Sequence, residues 1–370
     1  MPRAGWTKPD SESRLSDHLA FAMLARVFPP DLVDQVVADV GRLQQRSRLL
    51  PARIVVYYVL GLAMFSHSSY DEVIRLLIAS QSWSSGWSQS WPVPTKAALY
   101  KARLRLGYEP IRLLFERVAK PLADSGDGFH RSWRVLGIDS VLIDMPDTEA
   151  NCAEFGRRKL TDASQPGPPA AHVLGLTEIA TGAVIGASIE SIDGGGDESL
   201  DFLSLLGPES LVIVEFGMLT PEQWAVAAAS GAQLLSEVSP EITFEKARAL
   251  ADGSFVADGS FVSASSRAEH HPTAVAVPEL RVLESTSPDG MRRRFVTTIS
   301  DPDVLSSHEL HALISRHRNR SLASAFDEFR AHRTSSAITL RSKMPGGVRQ
   351  EIYGYLCVHY AMRWLLHELK

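Results

Sequence analysis

Apolar positions recur at helical spacing over the first part of the chain. They predict one helix that ends at Pro29-Pro30 and a second helix that Asp31 can cap. Residues 54–65 are almost unbroken in apolar character, which predicts a buried helix. We therefore predict an all-helical N-terminal domain over residues 14–125, after a polar tail over residues 1–13 that we expect to be disordered.

From residue 134 onward the pattern changes to short apolar runs rich in β-branched residues, which are typical of strands. The predicted strands span residues 135–139, 141–145, 171–178, 183–190, 211–214, 233–238 and 292–299, and the predicted helices span residues 199–206, 221–230, 303–332 and 347–369. This order of elements is typical of an α/β fold with a ribonuclease-H-like mixed sheet flanked by helices. We predict such a domain over residues 131–370, carrying a β-rich insertion at about residues 240–290.

Carboxylates stand inside or directly after two of these apolar runs. Asp139 lies between Ile138 and Val141, and Glu215 follows the run that ends at Val214. An acid inside a strand needs a metal ion, a partner or solvent to offset the loss of hydration. Asp139 is therefore a candidate metal ligand. The alternative, that it is an ordinary solvated acid at a strand end, stays open at this stage.

Composition is that of an ordinary soluble globular protein, with 45% hydrophobic and 22% charged residues. The net charge of −5 is uneven, because residues 131–240 carry 5 Lys and Arg against 16 Asp and Glu. An acidic centre with mildly basic flanks fits a metal-dependent enzyme that acts on a polyanion, and it also fits an acidic surface that avoids DNA. The two cysteines are far apart, and no apolar run is long enough to span a membrane, so we expect a cytoplasmic protein.

A basic helix is predicted directly after Thr95, which can cap it. Its cations are Lys96, Lys101, Arg103 and Arg105. Such a helix after a helical bundle is compatible with a helix-turn-helix element that enters a DNA groove. A solvated basic face is the alternative.

Long blocks of the chain resemble the insertion element 4 family of bacterial DDE transposases. In the N-terminal part these blocks are LSDHLAFAMLARVFPPDLVDQVV (15–37), QQRSRLLPARIVVYYVLGLAMFSHSSYDEVIRLL (44–77) and PTKAALYKARLRLGYEPIRLLFERVAKPLA (94–123). In the C-terminal part they are GIDSVLIDMPDTEANCAEFGRR (137–158) and LRSKMPGGVRQEIYGYLCVHYAMR (340–363).

The resemblance implies a ribonuclease-H-like fold in which three carboxylates hold two divalent cations, Mg²⁺ or Mn²⁺, for phosphodiester chemistry. It implies double-stranded DNA of transposon ends as the partner, with a second copy of the chain as a further candidate partner. Asp139 and Glu215 become the expected catalytic and metal-binding residues. The expected DNA contacts are Lys96, Lys101, Arg103, Arg105, Arg330, Arg341 and Lys343.

The chain departs from the family pattern at two of the three acids. Glu215 stands where the family has an aspartate, which moves the carboxylate outward by one methylene. The third acid falls on Ala323, and alanine cannot bind a metal ion. We therefore expect a degenerate catalytic triad and a transposase-family DNA-binding protein with impaired catalysis. The rival hypotheses are a domesticated protein, used as a regulator or recruited to small-molecule chemistry, and a recently decaying product.

Overall fold

The structure is a computed structural model that describes residues 15–43, 50–85, 93–124, 126, 128–159, 167–193, 200–215, 219–238, 244, 246–257, 279–286, 292–318, 322 and 340–369. Its contacts divide the chain into two compact units. The first contains Met1–Val118 and Gly346–Leu365, and the second contains Ala119–Pro345 and Leu366–Lys370.

The first unit is helical, as the sequence predicts. Its described helices are α1 (Leu15–Val27), α2 (Pro30–Asp39), α3 (Ala52–Met64), α4 (Tyr70–Ser85), α5 (Lys96–Leu106), α6 (Glu109–Val118) and most of a last helix, α10 (Pro345–Glu368). Helix α3 is buried from Ile54 to Ala63 and contacts α1, α2, α4 and α5. Its apolar run therefore forms the centre of this unit, where each fully buried aliphatic side chain contributes about 1.5 to 3 kcal/mol.

Helix α10 belongs to the first unit although it lies at the far end of the chain. Gly354 lets it approach α3, because a Cβ at this position would lie 3.3 Å from a methyl group of Val59. Tyr353 stacks on Tyr108, with 6.5 Å between the ring centroids. The sequence prediction assigned this helix to the α/β domain, whereas its contacts place it with the N-terminal helices.

The second unit contains a ten-stranded sheet formed by the described strands. They are β1 (Phe129–His130), β2 (Trp133–Asp144), β3 (Ala170–Glu178), β4 (Ala183–Ser191), β5 (Ser210–Val214), β6 (Gln233–Val238), β7 (Lys246–Ala249), β8 (Phe255–Ala257), β9 (Leu280–Thr286) and β10 (Arg292–Thr297). Their order is β4-β3-β2-β5-β6-β10-β9-β8-β7, with β1 paired to β2. The described helices of this unit are α7 (Glu149–Phe155), α8 (Pro221–Ala229) and α9 (Ser307–Arg318).

Strand directions give the sheet its mixed character. Strands β2, β3 and β4 pair antiparallel, β5 and β6 run parallel to β2, and β10 turns back antiparallel to β6. The predicted mixed α/β fold of ribonuclease-H-like type, after a helical N-terminal region, is confirmed.

Two parts of the prediction differ from the structure. The strands predicted over residues 135–139 and 141–145 are one continuous strand, β2, because both sides of Asp139 keep their pairing with β3. The helix predicted over residues 199–206 is a short 3-10 helix, Asp201–Leu205. Within the predicted insertion, strands β7, β8 and β9 continue the main sheet through β10.

Helix α9 packs on one face of the sheet. Its Leu310 and Leu313 share a buried apolar cluster with Val135 of β2 and Ile213 of β5. The segment before the helix is fixed by Arg281 of β9, which is fully buried and donates a hydrogen bond of 2.6 Å to the Leu305 carbonyl. The sheet, its insertion strands and α9 therefore share one core.

No described helix is both long enough and apolar enough to cross a lipid bilayer. Cys152 and Cys357 are both free thiols.

Candidate active site

Asp139 lies in the middle of β2, with its neighbours paired to strands on both sides. Its side chain is only 2% exposed. Oxygen Oδ2 accepts a hydrogen bond of 2.6 Å from the backbone N–H of Leu322, whereas Oδ1 is buried and has no hydrogen-bond partner among the described residues. Because the residue is inside the strand and buried, the alternative of a solvated turn acid does not hold.

Glu215 stands beside Asp139. Strand β5 runs parallel to β2 with Val214 opposite Ile138, and the backbone N–H of Glu215 donates to the Ile138 carbonyl at 2.9 Å. Adjacent strands are about 4.8 Å apart, so the two acids occupy neighbouring positions of the sheet. Unlike Asp139, Glu215 is exposed.

The surroundings of Asp139 disfavour its charged form. The pKa of its carboxyl is raised from 3.8 to about 7, because burial and, to a smaller extent, the charge of Glu215 outweigh the hydrogen bond from Leu322, which acts in the opposite direction. A carboxyl that titrates near neutral pH beside a second acid is a feature of functional sites.

Two other acids, at the end of β2 and in the loop after it, have cationic partners. Asp144 lies 3.2 Å from Arg158, and Asp147 accepts hydrogen bonds of 2.9 and 2.6 Å from Arg157. Asp139 has no such partner among the described residues. The carboxyl group of Asp139 therefore lacks a compensating cation among the described residues, unlike those of Asp144 and Asp147.

Two glycines shape the strand surface at Asp139. A Cβ at Gly137 would overlap the imidazole of His317 on α9, and a Cβ at Gly175, opposite Asp139 in β3, would lie 2.9 Å from the methyl groups of Leu322. Leu322 can therefore bring its amide to Asp139. Sequence reasoning did not identify these contacts, although a glycine inside a strand is itself a signal of close approach.

Two carboxylates of the expected metal site, Asp139 and Glu215, lie at neighbouring positions of the sheet, and the described residues show no third. The described residues contain no group of three or more His, Cys, Asp or Glu side chains that could hold a metal ion. The unpartnered Oδ1 of Asp139 and the adjacent carboxylate of Glu215 fit part of the oxygen shell that Mg²⁺ or Mn²⁺ prefers. Ala323, at the position of the third acid, lies outside the described residues.

Comparison with known proteins finds similarity to transposases. A family model described as the N-terminal part of insertion element 4 transposases matches residues 18–116. Transposase InsG of insertion sequence element IS4 from Escherichia coli (strain K12) is 24% identical over 359 residues, which cover 92% of this chain and 75% of that protein. Both matches indicate similarity to insertion element 4 transposases, the first over residues 18–116 and the second over most of the chain. A cryo-EM structure of the piggyBac transposase synaptic complex with hairpin DNA also matches, with a TM-score of 0.48 and 10% identity over 94% of this chain and 75% of that one.

Helix α5 carries four of the residues predicted to contact DNA. Lys96, Lys101 and Arg105 are exposed, and Lys96 lies 3.3 Å from Asp71. Arg103, also predicted as a phosphate contact, points inward towards α10.

The guanidinium of Arg103 is bound inside the helical unit. It donates hydrogen bonds of 2.7 Å to Gln350 and 3.1 Å to Glu351 on α10, and its side chain is only 12% exposed. Sequence reasoning could not assign this role, because the partners lie 247 and 248 residues away.

Two further predicted DNA contacts, Arg341 and Lys343, lie near the end of the second unit. Lys343 is exposed, and Arg341 is partly buried. Their loop is held by Asn151, which donates to the Ser342 carbonyl at 3.2 Å, and by Thr148, which donates to the Lys343 carbonyl at 3.0 Å. Arg330 lies outside the described residues.

Proposed function

We propose that this protein binds duplex DNA and retains two carboxylates, Asp139 and Glu215, of a divalent-metal site for phosphodiester cleavage and strand transfer. We further propose that the missing acid at Ala323 impairs this catalysis. The observation that carries the proposal is the buried carboxylate of Asp139, which has one unpartnered oxygen and lies next to a second acid with no compensating cation among the described residues. The cytoplasm is the compartment that we propose for it.

Each residue has a distinct part in the proposed mechanism. Asp139 would hold a cation through Oδ1, while the Leu322 amide fixes its other oxygen. Glu215 would supply the second oxygen ligand. When bound, Mg²⁺ or Mn²⁺ supplies activation of water or of a DNA 3′-hydroxyl and stabilisation of the leaving oxygen. With alanine at position 323 the third ligand is lost, so we expect weak binding and slow cleavage.

Calorimetric titration with Mn²⁺, together with nicking of supercoiled plasmid, tests the metal site. We expect Asp139→Asn to weaken Mn²⁺ binding at least about tenfold, since loss of an outer-shell partner alone costs about 10- to 100-fold, and to abolish nicking. Ala323→Glu should strengthen both. Asp144→Asn is the matched control, because Asp144 lies on the same strand and is paired with Arg158. Equal Mn²⁺ affinity in the wild type and Asp139→Asn would refute the proposed site.

Salt-dependent duplex binding tests the DNA half of the proposal. Exposed Lys101, Arg105 and Lys343 are the candidate phosphate contacts. Each phosphate contact adds about −0.9 to the slope of log K against log salt concentration. A filter-binding titration that finds no salt-sensitive affinity for any duplex would exclude the proposed DNA binding. It would not bear on the proposed metal site.

A DNA-binding regulator without catalysis is the second candidate. The observation that favours it is the cover that Leu322 places over Asp139, whose side chain is only 2% exposed. Salt-sensitive DNA binding without Mn²⁺ binding or nicking would select this function. It would also identify the protein as a domesticated member of its family.

A further inference from the structure

Helix α5 presents two large apolar side chains to solvent. Tyr100 is 57% exposed and Leu104 is 62% exposed. The opposite side of the helix is buried through Leu99, Ala102 and Leu106. One face of α5 is therefore buried in the helical unit. Among the described residues, nothing covers its second, partly apolar face.

Cations line the same exposed face. Helix α5 has four Lys and Arg residues and no Asp or Glu. Arg103 is bound to Glu351, and Lys96 lies near Asp71, whereas Lys101 and Arg105 are exposed and make no ion pair with a described residue. Residues four apart lie above one another on a helix, so Lys101 and Arg105 form a basic row beside the apolar row of Tyr100 and Leu104.

We infer that Tyr100 and Leu104 contact base edges in the major groove of duplex DNA, while Lys101 and Arg105 contact the adjacent phosphates. This inference rests on the proposed DNA-binding function and names the side chains that select sequence. The major groove admits one α-helix, and apolar side chains there recognise the thymine methyl group. Tyr100 and Leu104 are about 6 Å apart along the helix axis, which spans about two base steps.

The charge of the exposed face of α5 favours DNA, rather than a second copy of this chain, as its binding partner. A self-association surface would bring two rows of Lys101 and Arg105 together, and like charges repel. Lysine is also depleted at the centres of protein interfaces, and a stable interface needs about 800 Å² from each partner. The same row of cations attracts a polyanion such as DNA.

Selection from a random duplex library with the full-length protein tests the inference. The selected duplex and a scrambled duplex are then titrated at several salt concentrations. For Tyr100→Ala/Leu104→Ala we expect the ratio of the two affinities to fall about tenfold or more. For Lys101→Gln/Arg105→Gln we expect both affinities to fall together and the salt slope to shrink by about 1.8. Val226→Ala, at a position that is 59% exposed on α8, should match the wild type.

The outcomes separate the inference from the proposed function. A wild type that binds duplex and keeps its selectivity in Tyr100→Ala/Leu104→Ala would overturn the inference alone. A change of oligomeric state in that variant, with selectivity intact, would overturn it in favour of self-association. A wild type with no salt-sensitive affinity for any duplex would refute DNA binding itself.

Discussion

At the scale of the residue, Asp139 combines burial with an uncompensated charge. Its carboxyl sits between the amide of Leu322, which stabilises the anion, and the carboxylate of Glu215, which destabilises it. A divalent cation would remove both the desolvation cost and the repulsion. The pH dependence of stability therefore reports directly on this residue.

Replacement of Asp139 by Asn should stabilise the protein at neutral and alkaline pH. The carboxyl ionises at its ordinary pKa of 3.8 in the unfolded chain and at about 7 in the folded protein. Between these values the folded state keeps a proton that the unfolded state has lost, so wild-type stability falls as the pH rises from about 4 to about 7 and stays lower above that range. The difference between the two pKa values corresponds to about 4 kcal/mol.

Urea unfolding of Asp139→Asn and wild type across this pH range measures the effect. We expect the variant to be more stable by up to about 4 kcal/mol above about pH 7, with the gap closing towards about pH 4. Asp144→Asn, which loses an ion pair with Arg158, should gain no stability at any pH. A gap for Asp139→Asn that is independent of pH would contradict the prediction.

At the scale of the element, α9 is held at both ends. Its start is fixed by reciprocal hydrogen bonds between Ser306 and Glu309 and by the ion pair of Glu309 with Arg131. Its last turn lies over β2, where Gly137 leaves room for His317. The packing of α9 on the sheet therefore depends on the absence of a side chain at Gly137 of β2.

Gly137→Ala should unseat the end of α9. The new methyl group would overlap the buried imidazole of His317, and overpacking of this kind costs about 1 to 3 kcal/mol. The free energy of unfolding in urea measures the loss. Gly346→Ala is the control, because a Cβ there meets nothing within 4 Å, and it should not lower stability. Equal stability of both variants would show that His317 moves aside without cost.

Local patterns predicted the elements but not the contacts between them. The apolar runs at β5 and α3 predict a strand and a helix correctly, because a short continuous apolar run fits a buried strand and a long one fits a buried helix. The apolar runs on the two sides of Asp139 predict two strands, whereas the structure has one continuous strand, β2. The amide that meets Asp139 belongs to Leu322, 183 residues away, and no local signal carries such a contact.

At the scale of the whole molecule, the N-terminal helices are completed by the C-terminal helix α10. Arg103 and Glu351 join the two chain segments through a largely buried ion pair, with Gln350 as a further partner. Removal of one member leaves the other charge buried without its partner. We therefore expect replacement of either Arg103 or Glu351 alone to destabilise the first unit.

Arg103→Met should lower the free energy of unfolding by about 3 to 5 kcal/mol, because Glu351 then remains charged in a site where its side chain is 7% exposed. Arg103→Met/Glu351→Gln should recover part of that loss. A double-mutant cycle followed by circular dichroism gives the coupling between the two residues. A coupling of zero would mean that the ion pair does not join α5 to α10.

The place of α10 also has a consequence for synthesis on the ribosome. The segments Met1–Val118 and Gly346–Leu365 of one unit are separated by the whole stretch from Ala119 to Pro345. At about 5 to 20 residues per second, the early helices wait roughly 10 to 50 s for their last partner. During that time the apolar surface that α10 will cover is open to chaperones. A product that terminates before residue 345 never closes this bundle, so nascent and truncated chains lack the finished helical unit.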